Sequence, residues 1–289
     1  MQQANEEIFA ADTSGIYDDD EGSKHFFFEV KYKSIPVNTE MANALSAQFI
    51  ENMIFIRKQI PCTYPDLMKH AEEEAQRRQI QKQGRRLTAN FQKKALRFVQ
   101  DMEIAFRSLR KHFLKVHPTR FLILFGSSIN NPKEGFLLDF CNSTGGLWHE
   151  YTPKQFQQAS RKLIRNVFVS GSNGLFQSEL KRPWNIFLLC YGNRLTYPPM
   201  SAQLSAHEDV SNDECNDFSV VENFRLKKPR SRRGKPIFQI TITGVEDGRE
   251  EKEDSNSFVD DADRVWYKYP KRIKGIKVPP QRSKGKTGV

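Results

Sequence analysis

Residues 91–140 read FQKKALRFVQDMEIAFRSLRKHFLKVHPTRFLILFGSSINNPKEGFLLDF, and the hydrophobic period changes once within them. Phe91, Ala95, Val99, Met102, Phe106, Leu109, Phe113 and Val116 follow one another at spacings of four, four, three, four, three, four and three. That is the repeat of a single helix face. Thr88 stands ahead of it as an N-cap and Pro118 closes it, which predicts a helix of ~40 Å at 1.5 Å per residue. A coiled coil is the rival, but the apolar stripe is solitary and lasts only about four heptads. A central helix covered by a sheet is expected. Beyond Pro118, FLILF (Phe121–Phe125) and FLLDF (Phe136–Phe140) flank the turn-rich GSSINNPKEG, the pattern of a hairpin with an irregular loop.

Outward from this core, Met41, Leu45, Phe49, Met53, Ile56 and Ile60 lie on one stripe of a helix from about Thr39 to Ile60, stopped by Pro61. A shorter helix begins at Pro65, and Gln76 to Arg86 reads as a loop or frayed end. FFFEVKYKSIPV after His25 predicts a strand. Downstream, Thr152 and Pro153 start a helix with the stripe Phe156, Ala159, Leu163 and Val167, ended by Gly171–Gly174. Trp184–Tyr191, Phe218–Phe224, Ile237–Thr243 and Val265–Tyr269 predict strands. Helices first and hairpins after give an α+β class rather than a doubly wound one.

The chain has 289 residues, 38% of them hydrophobic and 28% charged, so it is neither disordered overall nor membrane-embedded. No apolar run approaches the ~20 residues of a spanning helix, and the N-terminus lacks a secretory pattern. Cys62, Cys141, Cys190 and Cys215 form no CxxC pair and read as reduced thiols, which predicts an intracellular protein. The net charge of +10 is segregated. Residues 1–23 hold seven acids and no Lys or Arg, and Arg225–Lys235 (RLKKPRSRRGK) holds seven basic residues. Residues 246–263 hold nine acids, and 264–289 nine basic residues and no acid. The expected layout is an acidic disordered tail over 1–23, one domain over 24–278 and a basic disordered tail over 279–289. Polar loops are expected near 76–88, 200–217 and 245–260. The basic arm is either a solvated hairpin or a nuclear-import or nucleic-acid patch, though no aromatics interleave with it.

Motifs of catalysis are missing. There is no GxxxxGK[ST], no GxGxxG and no HExxH. SGSNG (Ser170–Gly174) fails the spacing of a nucleophile elbow. The acidic run Asp18–Glu21 lacks the glycine and later Glu of a calcium loop. No catalytic residue, metal site or cofactor is expected, and the prior shifts towards a binding module.

Four segments together resemble the comet family: FIENMIFIRKQIP (Phe49–Pro61), RFLILFGSSINNPKEGFLLDF (Arg120–Phe140), RKLIRNVF (Arg161–Phe168) and VWYKYPKRIKGIK (Val265–Lys277). The resemblance implies a HORMA-like domain with an antiparallel sheet on a long central helix and flanking helices. It also implies a C-terminal safety-belt-like segment from Phe218 onward. Such proteins are adaptors without catalytic activity. They bind the closed conformer of the checkpoint protein Mad-two through its dimerisation surface and present it to a Pch-two-type AAA+ ATPase. The mitotic checkpoint complex is thereby disassembled and the spindle checkpoint silenced.

Carried over by position, the family's two-helix docking face has a polar contact falling on Ile56 in the first helix and an aromatic contact falling on Ile164 in the later one. Arg57, Lys58, Arg161 and Arg165 would supply a polar rim around such apolar anchors, with Phe168 on the same face. Ile56 is apolar where the family has a polar contact; either packing has replaced that contact or the register differs by one residue. The ATPase-contacting pair falls on Leu226 and Lys227. The resemblance implies a nuclear and cytoplasmic protein, at the spindle or kinetochores in mitosis, with no membrane or nucleic-acid partner. The alternative is a basic nucleic-acid-associated nuclear protein using Arg225–Lys235 and the C-terminal tail.

Overall fold

The computed structural model describes residues 25–32, 35, 37–80, 89–140, 151–172, 180, 183–195, 218–221, 224, 237–243 and 264–276. In chain order these form β1 (His25–Lys31), α1 (Thr39–Ile56), α2 (Tyr64–Ile80), α3 (Ala89–Val116), β2 (Arg120–Ser128) and β3 (Asn131–Asp139). There follow α4 (Pro153–Ser172), β4 (Asn185–Asn193), β5 (Ser219–Val220), β6 (Ile237–Thr243), β7 (Arg264–Lys268) and β8 (Ile273–Lys274). The acidic N-terminal residues 1–23, the basic arm 225–235, the loop near 200–217, the acidic stretch 246–263 and the tail 279–289 lie outside the described residues.

The strands make one sheet in the order β1-β6-β3-β2-β4-β7-β5, with β8 pairing β4. It is mixed, which corrects the expected antiparallel sheet. β6 lies between β1 and β3 and runs parallel to both; the β2–β3, β2–β4, β4–β7, β4–β8 and β5–β7 pairs are antiparallel. Alternation within β6 (Phe238, Ile240 and Ile242 buried) shows which face is apolar and carries no information on strand direction. The expected irregular loop of the β2–β3 hairpin is mostly strand. Pairing continues past a register shift at Gly126, where a Cβ would come within 2.7 Å of Pro132 Cα.

Helix α3 lies where the seven-step spacing puts it. Val99, Met102, Leu109, Phe113 and Val116 are buried, and Phe113 meets Phe121 of β2 edge-on at 5.9 Å. Residues of all four helices share one core cluster with Phe121, Ile123, Phe125, Phe136 and Leu138 of the sheet. The intervening Leu122, Leu124, Leu137 and Leu189 are buried on the opposite face. FLILF is therefore apolar at every position because β2 is covered on both sides. Smaller expectations shift. α1 ends at Ile56 rather than near Ile60, α2 continues to Ile80, and β8 was not foreseen because two residues carry no periodicity.

Candidate partner-docking site

Helix α1 starts at Asn38, whose side chain accepts the Met41 N–H at 2.8 Å. Its end is a Schellman turn: Lys58 N–H donates to Phe55 O at 2.9 Å and Gln59 N–H to Ile54 O at 2.8 Å. That turn needs a left-handed residue, and Lys58 fills the place at φ 54°, where glycine is the usual occupant. The geometry divides the residues at the helix end between interior and surface. Ile56 continues the stripe of Phe49 and Met53 and is half-buried against the core. Phe55, one step round the helix, is 41% exposed.

Arg57 takes no part in a surface rim, contrary to the expectation for it. It is buried, with Nη2 at 2.6 Å and Nε at 3.1 Å from Glu134 Oε2 on β3. The helix ends just before it, so its side chain runs underneath to the sheet. Burial pushes the Glu134 carboxyl upward, while the guanidinium pulls it back only in part. Its other oxygen, Oε1, has no hydrogen-bond partner among the described residues.

Helix α4 opens with a capping box. Gln155 N–H donates to Thr152 Oγ1 at 3.3 Å, and Thr152 N–H donates to Gln155 Oε1 at 2.8 Å. Ala159, Leu163 and Val167 face the core. Tyr32 donates to Ala159 O at 2.9 Å and Lys162 Nζ to Lys31 O at 2.5 Å, so α4 is tied to the end of β1. On its outer side Arg161 and Arg165 are exposed, with Phe168 at 43% and Val169 at 60% exposure. Ile164 lies at the margin, half-buried and packed against the core.

α1 packs beside α4, and both begin at the same end of the molecule: Glu40 of α1 and Arg110 of α3 act electrostatically on Tyr151, just ahead of α4. Phe55 lies in the last turn of α1 and Phe168 in the second half of α4, on helices that pack together. Four large hydrophobic residues are conspicuously exposed among the described ones, and Phe55, Phe168 and Val169 are three of them. Apolar anchors beside Arg161 and Arg165 make a surface suited to docking a protein rather than to chemistry. Phe55 was not singled out from the sequence, although a large aromatic residue off the buried stripe of a helix was the available signal. Leu226 and Lys227 lie outside the described residues. Among the described residues, no group of three or more His, Cys, Asp or Glu could hold a metal ion, and no helix is long and apolar enough to cross a membrane.

No curated protein matches the chain. A family model does, over residues 20–186, which takes in β1, all four helices and the β2–β3 hairpin. The model is that of p31comet, described as Mad1 and Cdc20-bound-Mad2 binding. The chain belongs to the p31comet family.

Proposed function

We propose that this protein is an adaptor that grips closed Mad2 with the outer surfaces of α1 and α4. In this reading it presents Mad2 to a Pch-two-type AAA+ ATPase, so that mitotic checkpoint complexes are taken apart and the spindle checkpoint is silenced. The observation that carries the reading is the exposure of Phe55 on α1 and of Phe168 and Val169 on α4, two helices that pack against each other, in a chain of this family. Such residues are the desolvated anchors from which protein interfaces draw most of their energy. Arg161 and Arg165 supply a cationic rim, which sets association rate and orientation more than affinity. ATP is hydrolysed by the partner. The adaptor works in the nucleus and cytoplasm, and at the spindle or kinetochores in mitosis.

The test is a binding assay with Mad2 held closed or open. The wild-type chain captures the closed form selectively. Ile164→Arg, which sets a charge at the margin of the patch, abolishes capture. Phe168→Arg gives the same loss, with its thermal unfolding measured alongside to show that the variant is folded. Undiminished capture by a folded Phe168→Arg protein would refute the assignment of the surface. Adding the ATPase and ATP to assembled checkpoint complex then shows whether release depends on the adaptor.

A further inference from the structure

Four distant pieces of chain meet beneath the end of α1; Gln59 bonds to two of the others directly, and β3 joins through Arg57 and Trp184. The Gln59 side chain is fully buried. Nε2 donates to Arg57 O at 2.7 Å, and Oε1 accepts the Trp184 N–H, just ahead of β4, at 2.6 Å. Its backbone oxygen accepts the Ile276 N–H at 2.7 Å, and Gly275 N–H donates to Trp184 O at 3.1 Å. Beside this, Arg57 is paired with Glu134 of β3, whose neighbour Lys133 lies 5.7 Å over the Trp184 ring. The chain just past β8 is thus joined by one backbone hydrogen bond to the turn that follows Phe55, and by another to Trp184, which Gln59 also holds. The fit admits nothing larger: a Cβ on Gly275 would fall 2.9 Å from Gln59 O, 2.9 Å from Pro183 Cβ and 3.0 Å from Gln59 Oε1.

A left-handed non-glycine residue such as Lys58 persists only where its surroundings over-determine the backbone. The Gln59 hydrogen bonds, from the side chain to Arg57 O and from Ile276 to the main chain, provide that restraint on both sides of Lys58. We infer that Gln59 is a positioning residue for the docking surface, through which the C-terminal strand tip Ile273–Ile276 governs affinity for the partner held on α1 and α4. The inference rests on the docking function proposed above. Displacing the strand tip frees the Arg57–Gln59 turn, the left-handed residue relaxes, and the last turn of α1 with Phe55 loses its fixed orientation. Linkage requires the reverse effect as well: a partner bound over Phe55 must stabilise the strand tip by the same factor.

Gly275→Ala tests this without touching the docking surface, and Gly192→Ala is its control. A Cβ at Gly192 would meet Val116 O at 2.7 Å and Pro118 Cα at 3.0 Å. That clash lies about 23 Å from Asn185 along β4, away from the hub, at ~3.3 Å per residue. Both variants unfold at lower temperature. Gly275→Ala weakens binding of closed Mad2 about 10-fold, a usual size for coupling between sites, whereas Gly192→Ala leaves the dissociation constant within about 2-fold. Equal affinity for the two variants overturns the inference. Hydrogen exchange on the wild-type chain reads the same coupling without mutation. Bound Mad2 slows exchange of the Ile276 amide while leaving the β6 amides unchanged, and an unaltered Ile276 rate also overturns it. A wild-type chain that does not bind closed Mad2 at all defeats the docking function itself, an outcome distinct from wild-type binding with indistinguishable variants.

Discussion

Arg57 and Glu134 are separated by 77 residues in the chain and by 2.6 Å in space, as a buried ion pair between the end of α1 and strand β3. Each side chain is 2% exposed, so neither charge has water to fall back on. Breaking such a pair from one side leaves an uncompensated buried charge, whereas replacing both partners does not. Arg57→Ala or Glu134→Ala should each cost about 3–5 kcal/mol in urea unfolding. Arg57→Met with Glu134→Leu should recover most of that loss. A double variant as unstable as either single one would show that the hydrogen bonds, not the isolated charge, set the cost.

Lys58 carries the strain of the α1 terminus at φ 54°. Glycine has no Cβ to oppose that backbone, so Lys58→Gly should stabilise the protein by about 0.5–1 kcal/mol. The urea midpoint should rise with an unchanged slope.

Glu51 of α1 gives stability a pH dependence. Burial, and then Glu103 of α3, push its carboxyl up to about 7, while a hydrogen bond from Gln48 opposes them. A carboxyl raised in the folded state contributes stability that is fully present below its unfolded value near 4.5 and is lost as pH climbs through about 7. Glu51→Gln should therefore have little effect at pH 4 and raise the melting temperature at pH 8. Because Glu51 is partly exposed, the gain is on the order of 1 kcal/mol, or about 2–4 °C. Equal shifts at both pH values would contradict this.

Phe55 and Phe168 should separate binding from folding. Each is more than two-fifths exposed, so truncation to Ala should barely change unfolding but weaken capture of closed Mad2 by about 1–2 kcal/mol. Arg161→Ala and Arg165→Ala should instead slow association, most visibly at low salt, as rim charges do. Surface plasmon resonance at two ionic strengths resolves the two patterns.

Cys190 reports on opening of the sheet. It is wholly buried on β4, and burial raises its thiol well above the usual value, so a thiol reagent should modify it only through unfolding. Cys62, half-buried beside Asp66, should react before Cys190.

Much of the fold was legible because it is periodic. The stripe from Phe91 to Val116 gave α3, the alternation at Phe238, Ile240 and Ile242 gave β6, and FLILF and FLLDF around a turn-rich stretch gave the β2–β3 hairpin, although burial of β2 on both faces was not read from them. The docking surface was only half legible. Arg161 and Arg165, expected at a polar rim, are exposed, and Ile56, which the sequence puts on the apolar stripe of α1, is half-buried; Arg57, expected at the same rim, is instead buried against Glu134.

The amino-acid order determined the helices, the β2–β3 hairpin and the apolar faces, since these depend on residues within a few positions of one another. Tertiary structure alone decided that β6 enters between β1 and β3, that Arg57 finds Glu134, and that Ile276 closes on Gln59. Those partners are brought together only when the whole core packs, and no local spacing in the chain records a hydrogen bond between segments so far apart.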